Sequence, residues 1–303
     1  MASRIAVVEV SPRDGLQNEK TWVSTENKVS LIRRAIAAGA RRLEAASFVS
    51  PKAVPQMADA EDVMQRLRDE GVAKDVTLIG LALNRRGVDR ALAAGVDDVN
   101  VAIAASETFN RRNQNAAIAD NVGELEGSVR AAQAQGVPVS LTIMTAFGCP
   151  FEGEVAPEAV VRLAEAARAA GVAEVALADT IGVADPVAVE QLMHRVRAVI
   201  GPLPLRMHFH NTRNTGIANA FAALRAGAQV LDSSIGGLGG CPFAPRATGN
   251  IATEDLIYML DRMDVATGYK LPALIDTAHW LEAECGLKPP SMVAKAGGFP
   301  VPA

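Results

Sequence analysis

His208 and His210 stand one residue apart at the end of an apolar run, Leu205-Arg206-Met207, and are two of the chain's four histidines. Side chains of a strand alternate between its faces with period two. Both imidazoles therefore point the same way, at the place where a strand gives way to a loop, and such a pair suits a metal ion. A second dense group is Arg13-Asp14, just past the apolar segment 5–10. Asp14 can ligate a hard cation, and Arg13 can stabilise a developing oxyanion. Glu44 lies inside an apolar strand and needs a partner there, for which Arg13 on the neighbouring strand is the candidate. Asp179-Thr180 sets another carboxylate and hydroxyl at a strand end. Gly236-Gly237-Leu238-Gly239-Gly240-Cys241 is a glycine-rich loop able to approach a ligand closely and to bring a thiol for proton transfer. Asn250 admits two readings: the cap of a helix that opens with Glu254 and Asp255 in its first turn, or an amide oxygen at the metal.

These residues need elements that bring them together. One local pattern recurs: an alanine-rich helix end, a glycine, then an apolar strand. Gly39, Gly95, Gly136, Gly171 and Gly227 carry it, and Gly71 and Gly201 occupy similar places. Glycine is favoured just past a helix end because that position often needs a left-handed backbone. With the opening strand at 5–10, these seven junctions give eight strands, about thirty residues apart, the size of one strand-plus-helix unit. Alternating strands and helices imply a parallel sheet with helices outside, and eight units match a closed (β/α)8 TIM barrel. A doubly wound open sheet is the alternative, but the glycine-rich dinucleotide fingerprint is missing after strand one. Closure makes strands seven, eight and one neighbours, so His208, His210 and Asp14 converge at one rim. Their mixed nitrogen and oxygen donors suit Mg2+, Mn2+, Fe2+ or Zn2+ and leave coordination positions open. Residues 268–303 read as a C-terminal helical extension of a single catalytic domain, 1–303, broken by Pro272 and Pro289-Pro290.

Composition narrows the class. Of 303 residues, 49% are apolar and 4% aromatic, enough for a large alanine-rich core. A formal charge of −4 argues against a dedicated nucleic-acid binder. Cys149, Cys241 and Cys285 are few, odd in number and far apart, which fits a reducing compartment. No apolar run reaches the ~20 residues that span a membrane, and the start offers no cleavable signal segment. The expectation is a cytoplasmic protein without membrane or nucleic-acid partners.

Longer motifs carry a resemblance over nearly the whole chain. They are Val8-Glu9-Val10-Ser11-Pro12-Arg13-Asp14-Gly15-Leu16-Gln17-Asn18-Glu19-Lys20, Ser47-Phe48-Val49-Ser50-Pro51-Lys52, Gly148-Cys149-Pro150-Phe151-Glu152-Gly153, Gly237-Leu238-Gly239-Gly240-Cys241-Pro242 and Gly249-Asn250-Ile251-Ala252-Thr253-Glu254-Asp255. The chain closely resembles the 3-hydroxy-3-methylglutaryl-CoA lyase family of metal-dependent TIM-barrel lyases, related to isopropylmalate synthase. The resemblance implies cleavage of 3-hydroxy-3-methylglutaryl-CoA to acetyl-CoA and acetoacetate, a place in leucine degradation, and a small-molecule acyl-CoA partner. It implies that Asp14, His208, His210 and Asn250 bind a divalent cation, Mg2+ or Mn2+. It further implies that Arg13 stabilises the enolate, that Cys241 helps proton transfer with His208 as an alternative, and that Glu44, Asp179 and Glu254 support or assist the site. Gln17 and Thr180 lie in matching motifs and are candidates for substrate contact. A homodimer is compatible with such a barrel.

The match departs from the family pattern in two places. After His210 the family often has Asp-Thr-Tyr-Gly or Asp-Thr-Phe-Gly, where this chain has Asn211-Thr212-Arg213-Asn214. Pro245-Arg246-Ala247-Thr248 replaces a smaller and more neutral stretch. Arg213 and Arg246 thus open the question of the acyl group, and lyases for citramalyl-CoA or longer branched analogues are the alternative. A condensing synthase is expected to lack the Gly239-Gly240-Cys241-Pro242 loop, and a non-catalytic barrel to have lost a metal ligand or Arg13. Of the basic residues Lys20, Lys52, Arg85, Arg86, Arg111 and Arg112, each reads individually as solvated surface.

Overall fold

In the computed structural model, which describes residues 3–71, 74–240 and 249–300, eight parallel strands close into a barrel in chain order. The strands are β1 (Ala6–Glu9), β2 (Arg42–Ser47), β3 (Thr77–Ala82), β4 (Asp98–Ala104), β5 (Val139–Met144), β6 (Glu174–Asp179), β7 (Leu205–Phe209) and β8 (Val230–Ser233). The outer helices are α1 (Thr25–Ala37), α2 (Ala60–Asp69), α3 (Arg85–Ala93), α4 (Glu107–Gln114), α5 (Ile118–Gln133), α6 (Pro157–Ala170), α7 (Pro186–Ile200), α8 (Gly216–Arg225) and α9 (Thr253–Arg262). Two more, α10 (Leu271–Cys285) and α11 (Met292–Ala296), follow, with α10 packed on α1 and α9. This is the (β/α)8 TIM barrel expected from the repeat.

All seven repeat glycines have positive φ, from 64° to 116°. The glycine therefore marks each junction because the chain must turn left-handed there to leave a helix and enter the next strand. Helix starts are equally local. Asp185 accepts from the Val187 and Ala188 amides while Pro186 fills the first turn of α7, and Ser24 accepts from the Asn27 amide at the start of α1. Strands carry apolar residues outward to the helices, and nearly every strand residue is buried, as a parallel sheet covered on its outer face requires.

Closure is direct: β1 pairs with β8 in the register Ala6↔Val230 to Glu9↔Ser233, and β8 pairs with β7. Two irregularities aim functional residues. β1 ends at Glu9, one residue short of the expected strand, and Ser11–Gly15 then forms a single π-helical turn closed by the Gly15 amide on the Val10 carbonyl at 3.1 Å. On β2 the pairing skips Ala45, passing from Glu44↔Ile79 to Ala46↔Gly80, a bulge at the level of the site.

Candidate active site

The C-terminal ends of the strands surround a cavity of about 640 Å³, the face on which such barrels hold their chemistry. Asp14, on the π-helical turn after β1, and His208 and His210, at the end of β7, meet at its floor. Asp14 Oδ2 lies 3.9 Å from His208 Nε2 and 3.7 Å from His210 Nε2, and the two rings are 5.2 Å apart. One donor atom from each of the three residues falls within 4.8 Å of the others. Asp14, His208 and His210, which strand period and barrel closure direct to one rim, thus meet there.

Asn250 joins them by an unforeseen route. Helix α9 begins at Thr253 with Ala252 at its cap position, so Asn250 is not the cap. Instead its segment runs beside the end of β7: the Ile251 amide donates to the Phe209 carbonyl, the Asn211 amide to the Gly249 carbonyl, and His210 and Asn250 form an antiparallel bridge. Asn250 Nδ2 donates to Asp14 Oδ2 at 2.8 Å and to the Leu238 carbonyl at 3.0 Å. Its Oδ1 is buried and accepts no hydrogen bond. Gly239, with φ of +112°, passes so close that a Cβ there would lie 2.6 Å from Asn250 Nδ2, so this position excludes any side chain.

The charge balance fits a cation. Burial alone would raise the Asp14 carboxyl, but Arg13, His208, His210 and the Asn250 hydrogen bond hold it well below the usual carboxylate range. Burial opposes charge on His208, and is outweighed by the hydrogen bond to Asp232 and by the Asp14 and Asp232 carboxylates, which raise its pKa. Nδ1 of His208 donates to Asp232 Oδ2 at 3.2 Å, leaving Nε2 for the Asp14 side. One carboxylate, two imidazoles and an unpartnered buried amide oxygen form a mixed donor set that fits a divalent cation.

Arg13 also lines the cavity. Its Nη1 donates to Asp14 Oδ1 at 2.6 Å, and its Nε to Glu44 Oε2 at 2.6 Å. Glu44, 2% exposed, accepts in addition from Asn100 Nδ2 at 2.8 Å, so the partner expected for Glu44 is the one it has. Gln17 and Thr180 line the cavity as well. Gln17 Oε1 is buried without a partner, and Thr180 Oγ1 accepts from the amide of Thr145, a residue held at φ of +53°.

Glu44, Asp179, Asn250 and Glu254 do not line the cavity. Asp179 is turned into the loop after β6, where it accepts from the Val183 and Ala184 amides at 2.9 and 3.0 Å, and burial raises its carboxyl despite those bonds. Glu254, at the start of α9, receives the Gly236 amide on both oxygens at 3.0 and 3.1 Å, anchoring the root of the glycine-rich loop. Burial pushes its carboxyl up to about 7. Cys241 and Arg246 lie outside the described residues, whereas Gly240, which precedes Cys241, lines the cavity. Arg213 donates to the carbonyls of Ile181 and Gly182 at 3.1 and 2.9 Å, tying two loops together, and is not on the cavity wall. Of the basic residues considered from sequence, Lys20 and Arg112 line the cavity. Arg85 and Arg111 pair with Asp89 and Glu107 on their own helices.

Sequence reasoning missed Asp232, Asn100, Glu9 and Arg206. Arg206 stood inside what reads as an apolar run, yet it is fully buried and faces inward. Its position two residues before His208 was the available signal, since that spacing shares a face. Glu9 is also fully buried and ties the Ser11 amide, the Ile235 amide and the Thr253 hydroxyl. It thereby joins the turn carrying Asp14 to the segments after β8.

The HMGL-like family matches residues 4–281. A hydroxymethylglutaryl-CoA lyase of Bacillus subtilis is 41% identical over 95% of this chain and 95% of its own length. An (R)-citramalyl-CoA lyase of Chloroflexus aurantiacus is 42% identical over 97% of this chain and 95% of its own. Among solved structures, an HMG-CoA lyase of Acinetobacter baumannii in complex with coenzyme A and 3-methylmalate superposes with a TM-score of 0.92 at 41% identity, covering 99% of this chain and 98% of that one. A barrel whose rim gathers Asp14, Arg13, His208 and His210, matched to this family along nearly its full length, belongs to the HMGL-like family.

Proposed function

We propose that this protein is a divalent-metal-dependent carbon–carbon lyase that cleaves 3-hydroxy-3-methylglutaryl-CoA to acetyl-CoA and acetoacetate. The observation that carries the reading is the donor set of Asp14, His208 and His210, within 4.8 Å of one another and beside Arg13 in one cavity.

Retro-Claisen cleavage needs the tertiary hydroxyl of the substrate to lose its proton, the bond between C2 and C3 to break, and the thioester enolate to be protonated. Asp14, His208, His210 and Asn250 would hold a divalent cation, Mg2+ or Mn2+, which would supply Lewis acidity for lowering the hydroxyl pKa. Arg13 stabilises the negative oxygen of the enolate, and Glu44 and Asp14 fix its guanidinium from two sides. Cys241 follows Gly240, which lines the cavity, and is the proposed acid for the enolate carbon. Thr180 and Gln17 offer polar contacts to the acyl group. Leu81, Leu83, Phe109 and Met144 supply an apolar wall that keeps water from the enolate. Lys20 and Arg112, which line the cavity, are cations suited to the phosphates of CoA. Asp179 and Glu254 support the site by holding the loops after β6 and β8. A cytoplasmic setting, a place in leucine breakdown and a homodimer go with this reading; among the described residues no helix is long and apolar enough to cross a membrane.

Citramalyl-CoA is the second reading, favoured by the relative of that activity at 42% identity. The two acyl groups differ by one methylene between C3 and the free carboxylate, and one methylene is worth roughly 1–3 kcal/mol of discrimination. The deciding experiment measures kcat/KM with Mg2+ on 3-hydroxy-3-methylglutaryl-CoA, both citramalyl-CoA enantiomers and a longer branched analogue. The named substrate is expected to lead. A preference of more than ~100-fold for another acyl group, about 2.7 kcal/mol, overturns the substrate and leaves the mechanism. Unchanged activity in His210→Ala after metal removal and replenishment overturns both.

A further inference from the structure

Below the cavity, the barrel interior holds a buried charge that the proposed reaction does not use. Arg206 is 1% exposed and shares the inward face of β7 with His208. Its Nε lies 3.3 Å from Glu174 Oε1 and 3.8 Å from Asp232 Oδ1, and its Nη2 donates to Thr142 Oγ1 at 3.2 Å. Asp232 divides its carboxylate between two neighbours. Oδ2 receives Nδ1 of His208 at 3.2 Å, while Oδ1 accepts no hydrogen bond and has the guanidinium of Arg206 beside it.

The polar contacts continue on the other side. Thr142 Oγ1 donates to Asn100 Oδ1 at 2.9 Å, and Asn100 Nδ2 donates to Glu44 Oε1 at 2.8 Å. Glu44 holds Arg13, and Arg13 holds Asp14. A ring of polar side chains thus closes, most of its members lining the cavity, and Arg206 is where its two arms meet.

We infer that Arg206 is a positioning residue for the metal centre: through Asp232 it fixes the His208 imidazole with Nδ1 bound below and Nε2 presented toward Asp14. The inference rests on the metal-site reading above. Imidazole ligands commonly donate their second nitrogen to a carboxylate, which sets the tautomer and the ring orientation. That carboxylate must itself be fixed, and a buried carboxylate oxygen without a hydrogen bond stays in place only beside a cation. A rigid guanidinium fork reaches Glu174, Asp232 and Thr142 together, which a lysine ammonium on a flexible stem does not.

The test is Mn2+ binding to the full chain, read from the electron paramagnetic resonance of free Mn2+, with folding checked by circular dichroism and thermal melts. Arg206→Lys and Asp232→Asn are each expected to weaken Mn2+ by ~10–100-fold, and the double variant to be no weaker than the worse single one. Arg42→Met is the structural control, since Arg42 shares Glu174 at 2.8 Å and its charge acts on Asp232 less than that of Arg206. It is expected to lower the melting temperature and keep Mn2+ affinity near the wild-type value. Wild-type affinity in Arg206→Lys, or a loss no larger than in Arg42→Met, overturns the inference. If Arg206→Lys does not fold, Asp232→Asn decides: wild-type affinity there overturns it equally. Failure of the unaltered protein to bind Mn2+, or binding that survives in His210→Ala, defeats the metal-site reading itself and the inference with it.

Discussion

Asn250 Nδ2 donates to Asp14 Oδ2 at 2.8 Å across 236 positions of sequence, while Asn250 Oδ1 is buried beside it without a partner. An amide in this state has its donor matched to one oxygen of the Asp14 carboxylate, whose other oxygen Arg13 holds, and an oxygen left over for a cation. Asn250→Ala is therefore expected to weaken Mn2+ binding by ~10–100-fold and to lower activity at limiting metal, with recovery at high metal. Titration of Mn2+ against activity and against free-ion resonance checks this. Unchanged affinity removes Asn250 from the donor set.

The second relationship is that of Arg13 and Glu44, joined at 2.6 Å inside the barrel. Glu44 does not line the cavity, so its effect on turnover passes through the two cavity-lining residues it holds, Arg13 at 2.6 Å and Asn100 at 2.8 Å. Glu44→Gln keeps the shape and removes the charge that orients the guanidinium. A fall in kcat of ~10–100-fold is expected, smaller than the ~10²–10³ for losing an oxyanion donor outright as in Arg13→Met. Mn2+ affinity stays near that of the unaltered protein. A change confined to KM would mean that Arg13 binds substrate and transition state alike.

Cys241 follows the cavity-lining Gly240 and is the proposed acid for the enolate. Cys241→Ala is expected to slow turnover by ~10²–10⁴-fold, the span of general acid–base catalysis, while Mn2+ affinity is kept. Exchange of solvent deuterium into the methyl group of acetyl-CoA provides a second readout, since it reports protonation of the enolate carbon. Loss of Mn2+ binding in the variant would instead make the thiol a ligand.

Much of this was legible in the chain because its signals are local. Each helix exit needs a left-handed residue, so seven glycines with positive φ spelled out the repeat. The period of a strand put His208 and His210 on one face, and closure carried them to Asp14. What stayed hidden depends on register between distant segments. Arg206 reads as one charge in an apolar stretch until β5, β6 and β8 bring Thr142, Glu174 and Asp232 around it. From the residues alone Asn250 stays open between a helix cap and an amide at the metal, because nothing periodic marks a segment that joins β7 through the isolated bridge of His210 with Asn250. Arg213 reads either as solvated surface or as a cation for an extra carboxylate, and its actual partners, two backbone carbonyls, are visible only in the fold.

Glu254 gives a test of the loop's anchorage through pH. Its carboxyl is fully buried, receives the Gly236 amide on both oxygens, and burial pushes its pKa up to about 7 from an ordinary 4.5. Between those two values the folded protein holds a proton that the unfolded chain has released, so this group's contribution favours folding at low pH and is lost as pH rises through about 7. A shift of this size corresponds to on the order of 3 kcal/mol. Glu254→Gln retains one acceptor oxygen and cannot ionise. Its melting temperature is expected to lie nearest that of the unaltered protein at or below about pH 4.5, to gain on it as pH rises from there to about 7, and to hold that gain above about pH 7. Melts of both proteins in matched buffers read the difference directly. A gap that does not change with pH, or one that closes as pH rises, would mean that the Gly236 amide and its surroundings stabilise the ionised carboxylate fully, and that the loop root is held by a charged acceptor.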